Sequence, residues 1–199
     1  MKKEIRFILL LLCSSLIMVS CTNYELRRFE KKYGDPKEPN YEKGYSYHKV
    51  KDYENELKYY LIGEQKGEGK CINALGYIYA NGNAFVKKDF EKGVRYYTLY
   101  ANRYNKYIGY EELGDLYSNT SDDNRNNGKA VEWYLAYVNT SSSGNYRMLN
   151  KIGNIYRIGG YGVFQDLDRA KKYYKMSCDE TPGSYNNGCD SLKKLNAQQ

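Results

Sequence analysis

Two places in this sequence set a serine one helical turn ahead of a lysine: Ser46-x-x-Lys49 and Ser191-x-x-Lys194. On a helix that spacing brings an amine to a hydroxyl, which can then act as a nucleophile. Acyl-transfer sites built on such a pair also use Ser-Asp-Asn and Lys-Thr-Gly elements, and neither occurs here. Tyr117-Ser118-Asn119 could supply a third element of that chemistry, but a polar turn between helices explains it equally well. His48 is the sole histidine, so no multi-histidine metal centre is possible; it lies before the repeats, and the only serine or cysteine close to it in sequence is Ser46, two residues away. Nothing assembles a nucleophile, a base and an oxyanion hole. The expectation is no catalytic set, no metal site and no cofactor.

The elements that would position any such residues are written in internal repeats. Leu75-Gly76-Tyr77-Ile78-Tyr79 recurs as Leu113-Gly114-Asp115-Leu116-Tyr117 and as Ile152-Gly153-Asn154-Ile155-Tyr156, with glycines 38 and 39 residues apart. An aromatic pair recurs independently as Tyr59-Tyr60, Tyr96-Tyr97, Trp133-Tyr134 and Tyr173-Tyr174, in steps of 37, 37 and 40. Four residues before the second aromatic stand Glu56, Gly93, Ala130 and Ala170. Each unit reads as two helices. Leu75, Ile78 and Tyr79 fall at i, i+3 and i+4, one face of the first helix. Gly82 and Gly159 are its stop signals. Asp89 and Asp166 are good N-caps for the second. Glycine inside a helix costs about 1 kcal/mol against alanine, so Gly76, Gly114 and Gly153 imply close helix contact, with small residue facing small residue.

These landmarks resemble the Sel-1-like repeat. The last full unit carries the pattern best, in Ile152-Gly153, Tyr156, Gly160, Gly162-Val163, Asp166, Arg169-Ala170 and Tyr173-Tyr174. The middle unit departs from it, with Ser118-Asn119-Thr120-Ser121-Asp122-Asp123 in place of the glycine turn. The resemblance implies an all-α, right-handed superhelical solenoid of antiparallel helix pairs. Its expected extent is 50–199: three full repeats, a lone second-type helix at about 52–65, and a lone first-type helix at about 186–195.

The N-terminus is expected to lie outside that fold. Lys2, Lys3 and Arg6 precede an apolar run, Phe7 to Val19, which at about thirteen residues is short of the roughly twenty that span a bilayer. This is signal-peptide anatomy, assigned to 1–20. Met18-Val19-Ser20-Cys21 resembles a bacterial lipobox, in which the cysteine becomes a lipidated N-terminus. The alternative is an ordinary signal peptide that leaves Cys21 a plain thiol. Residues 21–49, with Pro36 and Pro39, read as a lipidated tether. The protein is then exported and membrane-anchored, facing the periplasm or cell surface. Its net charge of +7 falls to +5 without Lys2, Lys3, Arg6 and Glu4, with the rest interspersed, so nucleic acid is not an expected partner. The 25 tyrosines suit half-buried positions in a thin structure.

Of the five cysteines, Cys13 leaves with the signal peptide and Cys71 reads as a small buried apolar residue. Cys178 ends one helix and Cys189 opens the next. In an oxidising compartment a disulfide is expected there, two free thiols being the alternative. This ending resembles the cysteine-rich branch of Sel-1-like proteins, the Helicobacter cysteine-rich family, although the earlier turns lack that branch's cysteine pairs. The branch implies β-lactam binding or weak β-lactamase-like hydrolysis. The residues themselves favour an adaptor that holds an envelope protein or peptide on its concave surface. Tyr59, Tyr96, Trp133 and Tyr173, the first member of each pair, are the candidate groove residues.

Overall fold

The computed structural model describes residues 40–119, 123–180 and 187–197. The signal peptide, Cys21 and the tether up to residue 39 lie outside these, as do residues 120–122 of the irregular loop. The described residues form helices α1 (Asn40–Lys49), α2 (Tyr53–Gln65), α3 (Gly69–Asn81), α4 (Phe90–Arg103), α5 (Lys106–Asn119), α6 (Asn127–Thr140), α7 (Tyr146–Ile158), α8 (Leu167–Glu180) and α9 (Asn187–Asn196). Each packs on the next along the chain, and α9 folds back on both α8 and α7. The only β feature among the described residues is an isolated Gly160–Val163 bridge in the turn before α8. None of the described helices is long and apolar enough to cross a membrane.

One observation revises the expected boundaries. Residues 40–49, read as tether, form α1, which packs on α2 and buries Asn40, Gly44 and Tyr47. The lone second-type helix therefore has a partner, and among the described residues the array has four helix pairs followed by α9. The Leu-Gly landmark is missing from α1, but its geometry is present: Gly44 and Tyr47 stand where Gly76 and Tyr79 stand in α3.

The turn inside each pair is built the same way four times. The backbone N–H of Asp52, Asp89, Asn126 and Asp166 donates to the carbonyl of Tyr47, Tyr79, Tyr117 and Tyr156, at 3.1, 2.7, 2.9 and 2.8 Å. The side chain of the same residue then caps the second helix, accepting from Asn55, Lys92, Lys129 and Arg169 N–H. In this way, each cap satisfies an N-terminal amide that has no partner within its helix. Gly82 and Gly159 end α3 and α7 at φ 72° and 73°, the left-handed region glycine enters without strain.

The core is a chain of local clusters. One joins α2, α3 and α4 around Cys71, Leu75 and Ile78; another joins α6 and α7 around Tyr134, Met148 and Ile152. The second tyrosine of each pair passes between the helices. Tyr97 lies on Gly76, where a Cβ would come 2.7 Å from its ring, and Tyr174 lies on Gly153 at 2.6 Å. Gly44 with Tyr60 and Gly114 with Tyr134 repeat the arrangement. The expected contact of small residue on small residue therefore needs correction: these glycines face tyrosine rings. Gly93 does face a small residue, Ala80.

Candidate functional site

A groove runs along the first helices in three segments that share lining residues. The N-terminal segment, about 500 Å³, is walled by Tyr41, Tyr45 and His48 of α1, by Lys70, Asn73 and Tyr77 of α3, and by Glu112 of α5. Tyr77 and Glu112 also line the second segment, about 220 Å³, between α3 and α5. Asp115 and Asn119 pass from that segment into a third, about 220 Å³, between α5 and α7.

The second-helix tyrosines reach this groove through the gaps left by the glycines: Tyr60, Tyr97 and Tyr134 line the first, second and third segments. Their ring bodies are buried, and the hydroxyls of Tyr97 and Tyr134 meet polar groups of the first helices. Tyr134 donates to Asp115 Oδ1 at 2.6 Å, and Tyr174, in the fourth pair, to Asn154 Oδ1 at 2.8 Å. Tyr97 bonds the Glu112 carboxylate. Burial pushes all three phenols upward. In the third segment Lys151 bonds both oxygens of Asp115, at 2.7 and 2.8 Å, and outside the walls Arg147 pairs with Glu111. Burial also raises the Glu112 carboxyl, and the charge of Asp115 adds to the effect.

The four candidate groove residues are placed elsewhere. Tyr59, Tyr96, Trp133 and Tyr173 are absent from the walls of these three segments. Three of them stack flat on the tyrosine three residues after the glycine: Tyr59 on Tyr47, Tyr96 on Tyr79 and Tyr173 on Tyr156, at 5.4–5.7 Å. Lys92 and Arg169 cover the outer faces of Tyr79 and Tyr156 at 4.9 and 5.3 Å. In the third pair Trp133 meets Tyr110 instead, and Lys129 covers Tyr117. The missed signal was in the pairs themselves. Their second member is tyrosine every time, which fits a ring whose hydroxyl must reach a polar partner.

The other candidates are accounted for as follows. Cys178 and Cys189 form a disulfide with Cα atoms 4.7 Å apart, within the usual range. It ties α9 to the end of α8. Cys71 is fully buried, and burial pushes its thiol far up, so it is an inert packing group. Ser46 donates to the Glu42 carbonyl, and Lys49 lies over the Tyr45 ring, 4.6 Å from its centroid. Ser118 Oγ lies 3.1 Å from the Tyr134 hydroxyl. No group of three or more metal-ligating side chains occurs among the described residues. One constellation was not foreseen: His48 Nδ1 lies 2.9 Å from Oε1 of buried Glu56.

The comparisons with known proteins agree with this geometry. The Sel1 repeat family matches at residues 69–104, 109–136 and 148–181, which correspond to the second, third and fourth helix pairs. Among solved structures, a Sel1 repeat protein from Oxalobacter formigenes is 21% identical, with a TM-score of 0.54 over 91% of this chain and 82% of that one. A protective antigen present in uropathogenic Escherichia coli strains, with an SLR fold, is 17% identical, with a TM-score of 0.52. It covers 80% of this chain, which spans only 41% of the antigen. At these identities the likeness is one of fold. Among curated proteins none matches by sequence.

Proposed function

We propose that this Sel1-repeat protein is a lipid-tethered adaptor of the cell envelope that holds an extended peptide or protein segment along its first helices. The observation that carries the reading is the connected groove. Three segments share walls across four helix pairs, and each has a tyrosine at its base. Stacked helix pairs offer such an extended surface for recognition. Tyr77, 57% exposed, stands where the first two segments meet, and exposed aromatic rings are favoured anchors in binding surfaces. The disulfide fits an oxidising, exported setting. Lipid attachment at Cys21 supplies the tether in this reading.

The test places a photocrosslinking amino acid at position 81, in the wall of the second segment, and compares capture by this protein with capture by the same protein carrying Tyr77→Ala. A discrete envelope partner, lost in Tyr77→Ala while thermal stability is retained, supports the groove. Unchanged capture after Tyr77→Ala removes it. Incorporation of labelled palmitate that disappears in Cys21→Ala tests the anchor separately.

A further inference from the structure

At the position before the aromatic pair where the later repeats hold Gly93, Ala130 and Ala170, the first holds Glu56. The residues facing it differ too. His48 follows Gly44 by four residues, as Ala80 follows Gly76, so the Gly93–Ala80 contact of the second pair becomes a Glu56–His48 hydrogen bond in the first. Helix packing does not require this exchange, because the other repeats close with small residues here. It also has a cost. Glu56 is 3% exposed, and its second oxygen, Oε2, is buried with no hydrogen-bond partner among the described residues. A buried acceptor left unsatisfied costs about 1–3 kcal/mol, and more when charged.

Glu56 belongs to the wall of the largest groove segment, where tyrosine rings and a second carboxylate, Glu112, stand with a single lysine, Lys70. Tyr60, Tyr41, Tyr45 and His48 form a continuous row of stacked rings, with centroids 5.8–6.1 Å apart. Glu112 stands in the same cavity, bonded to a tyrosine hydroxyl. Ammonium groups already associate with these rings: Lys49 Nζ is 4.6 Å from the Tyr45 centroid and Lys70 Nζ 5.4 Å from that of Tyr41. Lys70 is directed to Glu42, at 4.0 Å on the surface, and among the described residues no lysine or arginine pairs with Glu56, whose one ring partner is His48.

Taken together, aromatic faces and under-neutralised carboxylates in one cavity of about 500 Å³ form a recognition site for a cation. We propose that the N-terminal segment of the groove binds an organic ammonium group, with Glu56 and Glu112 as counter-charges and the Tyr41–Tyr45–Tyr60 row as its wall. This deepens the adaptor reading and rests on it for the source of the ammonium, a lysine-type side chain of the held peptide. A free small amine is the other source.

The test titrates the protein with Nα-acetyl-lysine methylamide, with its norleucine counterpart, which lacks the ammonium, and with butylamine. Binding is followed by calorimetry and by NMR shifts of the tyrosine rings. The lysine compound should bind at least about tenfold more tightly than the norleucine one. Glu56→Gln, which keeps the oxygen that accepts from His48, should bring that ratio close to one. Tyr45→Leu, at a 41% exposed position where folding is not at risk, should weaken ammonium binding several-fold. Butylamine as tight as the lysine compound assigns the site to free amines; weaker butylamine assigns it to a peptide side chain. Equal binding of the norleucine compound, or an unchanged ratio in Glu56→Gln, overturns the proposal. Failure of crosslinking at position 81 alongside ammonium binding here would sink the adaptor reading alone, and peptide capture indifferent to charge would sink this inference alone.

Discussion

Gly153 carries no side chain, and the Tyr174 ring occupies the space where one would be. A methyl there would add about 1 kcal/mol of helix propensity and overpack a contact, which typically costs about 1–3 kcal/mol. Overpacking should win, because Tyr174 is held by Asn154 and Arg157 at 2.8 and 3.2 Å and cannot swing aside freely. Gly153→Ala should therefore lower stability by about 1 kcal/mol in urea titrations, and an unchanged or raised midpoint would contradict the close approach. The second residue-scale prediction concerns Glu112. Its carboxyl is raised above the ordinary 4.5 by burial and by Asp115. The folded state thus holds this proton more tightly than the unfolded chain, and stability falls as pH rises from the unfolded value through the folded one. Glu112→Gln should make the protein more stable at pH 7, and the gain should disappear below about pH 4. A gain that persists in acid would show that charge burial is not its cause.

At the scale of elements, the disulfide and α9 act together. Leu195 of α9 is buried against Ala170 and Tyr174 of α8, but a ten-residue helix is marginal without tertiary support. The disulfide closes a sequence separation of 11 residues, and a loop of that size contributes about 2–3 kcal/mol. The Cys178→Ser, Cys189→Ser double variant should lose about that much, with amide exchange rising first in α9. If α9 stays as protected as in the parent protein, the staple is not what holds it. Helix α1 has the corresponding role at the other end. It covers Tyr60 and hydrogen-bonds Glu56, so a chain starting at Lys51 should expose both and melt at lower temperature than one starting at Asn40.

For the whole molecule, energy is distributed along a line. Each cluster joins two or three neighbouring helices, so a defect should be felt mainly nearby. Leu149→Ala removes a side chain that is 2% exposed in α7, at a cost of about 2–5 kcal/mol. Amide protection should collapse in α6 to α9 and largely survive in α2 and α3. Uniform loss of protection across all the helices would mean that the array unfolds as one unit. The same linearity makes the groove modular. Its walls change from a tyrosine-rich segment with two glutamates beside α1 to a lysine–aspartate pair in the third segment beside α7, without disturbing the repeat beneath.

Much of this was legible in the sequence because it recurs locally. Helix pairs, Asp89 and Asp166 as caps, Gly82 and Gly159 as stops, and the Cys178–Cys189 closure all depend on residues close along the chain, where side-chain type and backbone preference decide the outcome. Three features needed the tertiary structure. Helix α1 lacks the Leu-Gly landmark and forms because Gly44 admits the Tyr60 ring. Which ring of each pair faces the groove depends on where the neighbouring helix leaves a gap: the second ring passes over a glycine, while the first packs against another aromatic ring outside the groove. Glu56 read only as an odd residue in a column of small ones. Its place beside His48 and a wall of tyrosines arises where α1, α2 and α3 meet, and no spacing along one helix encodes that meeting.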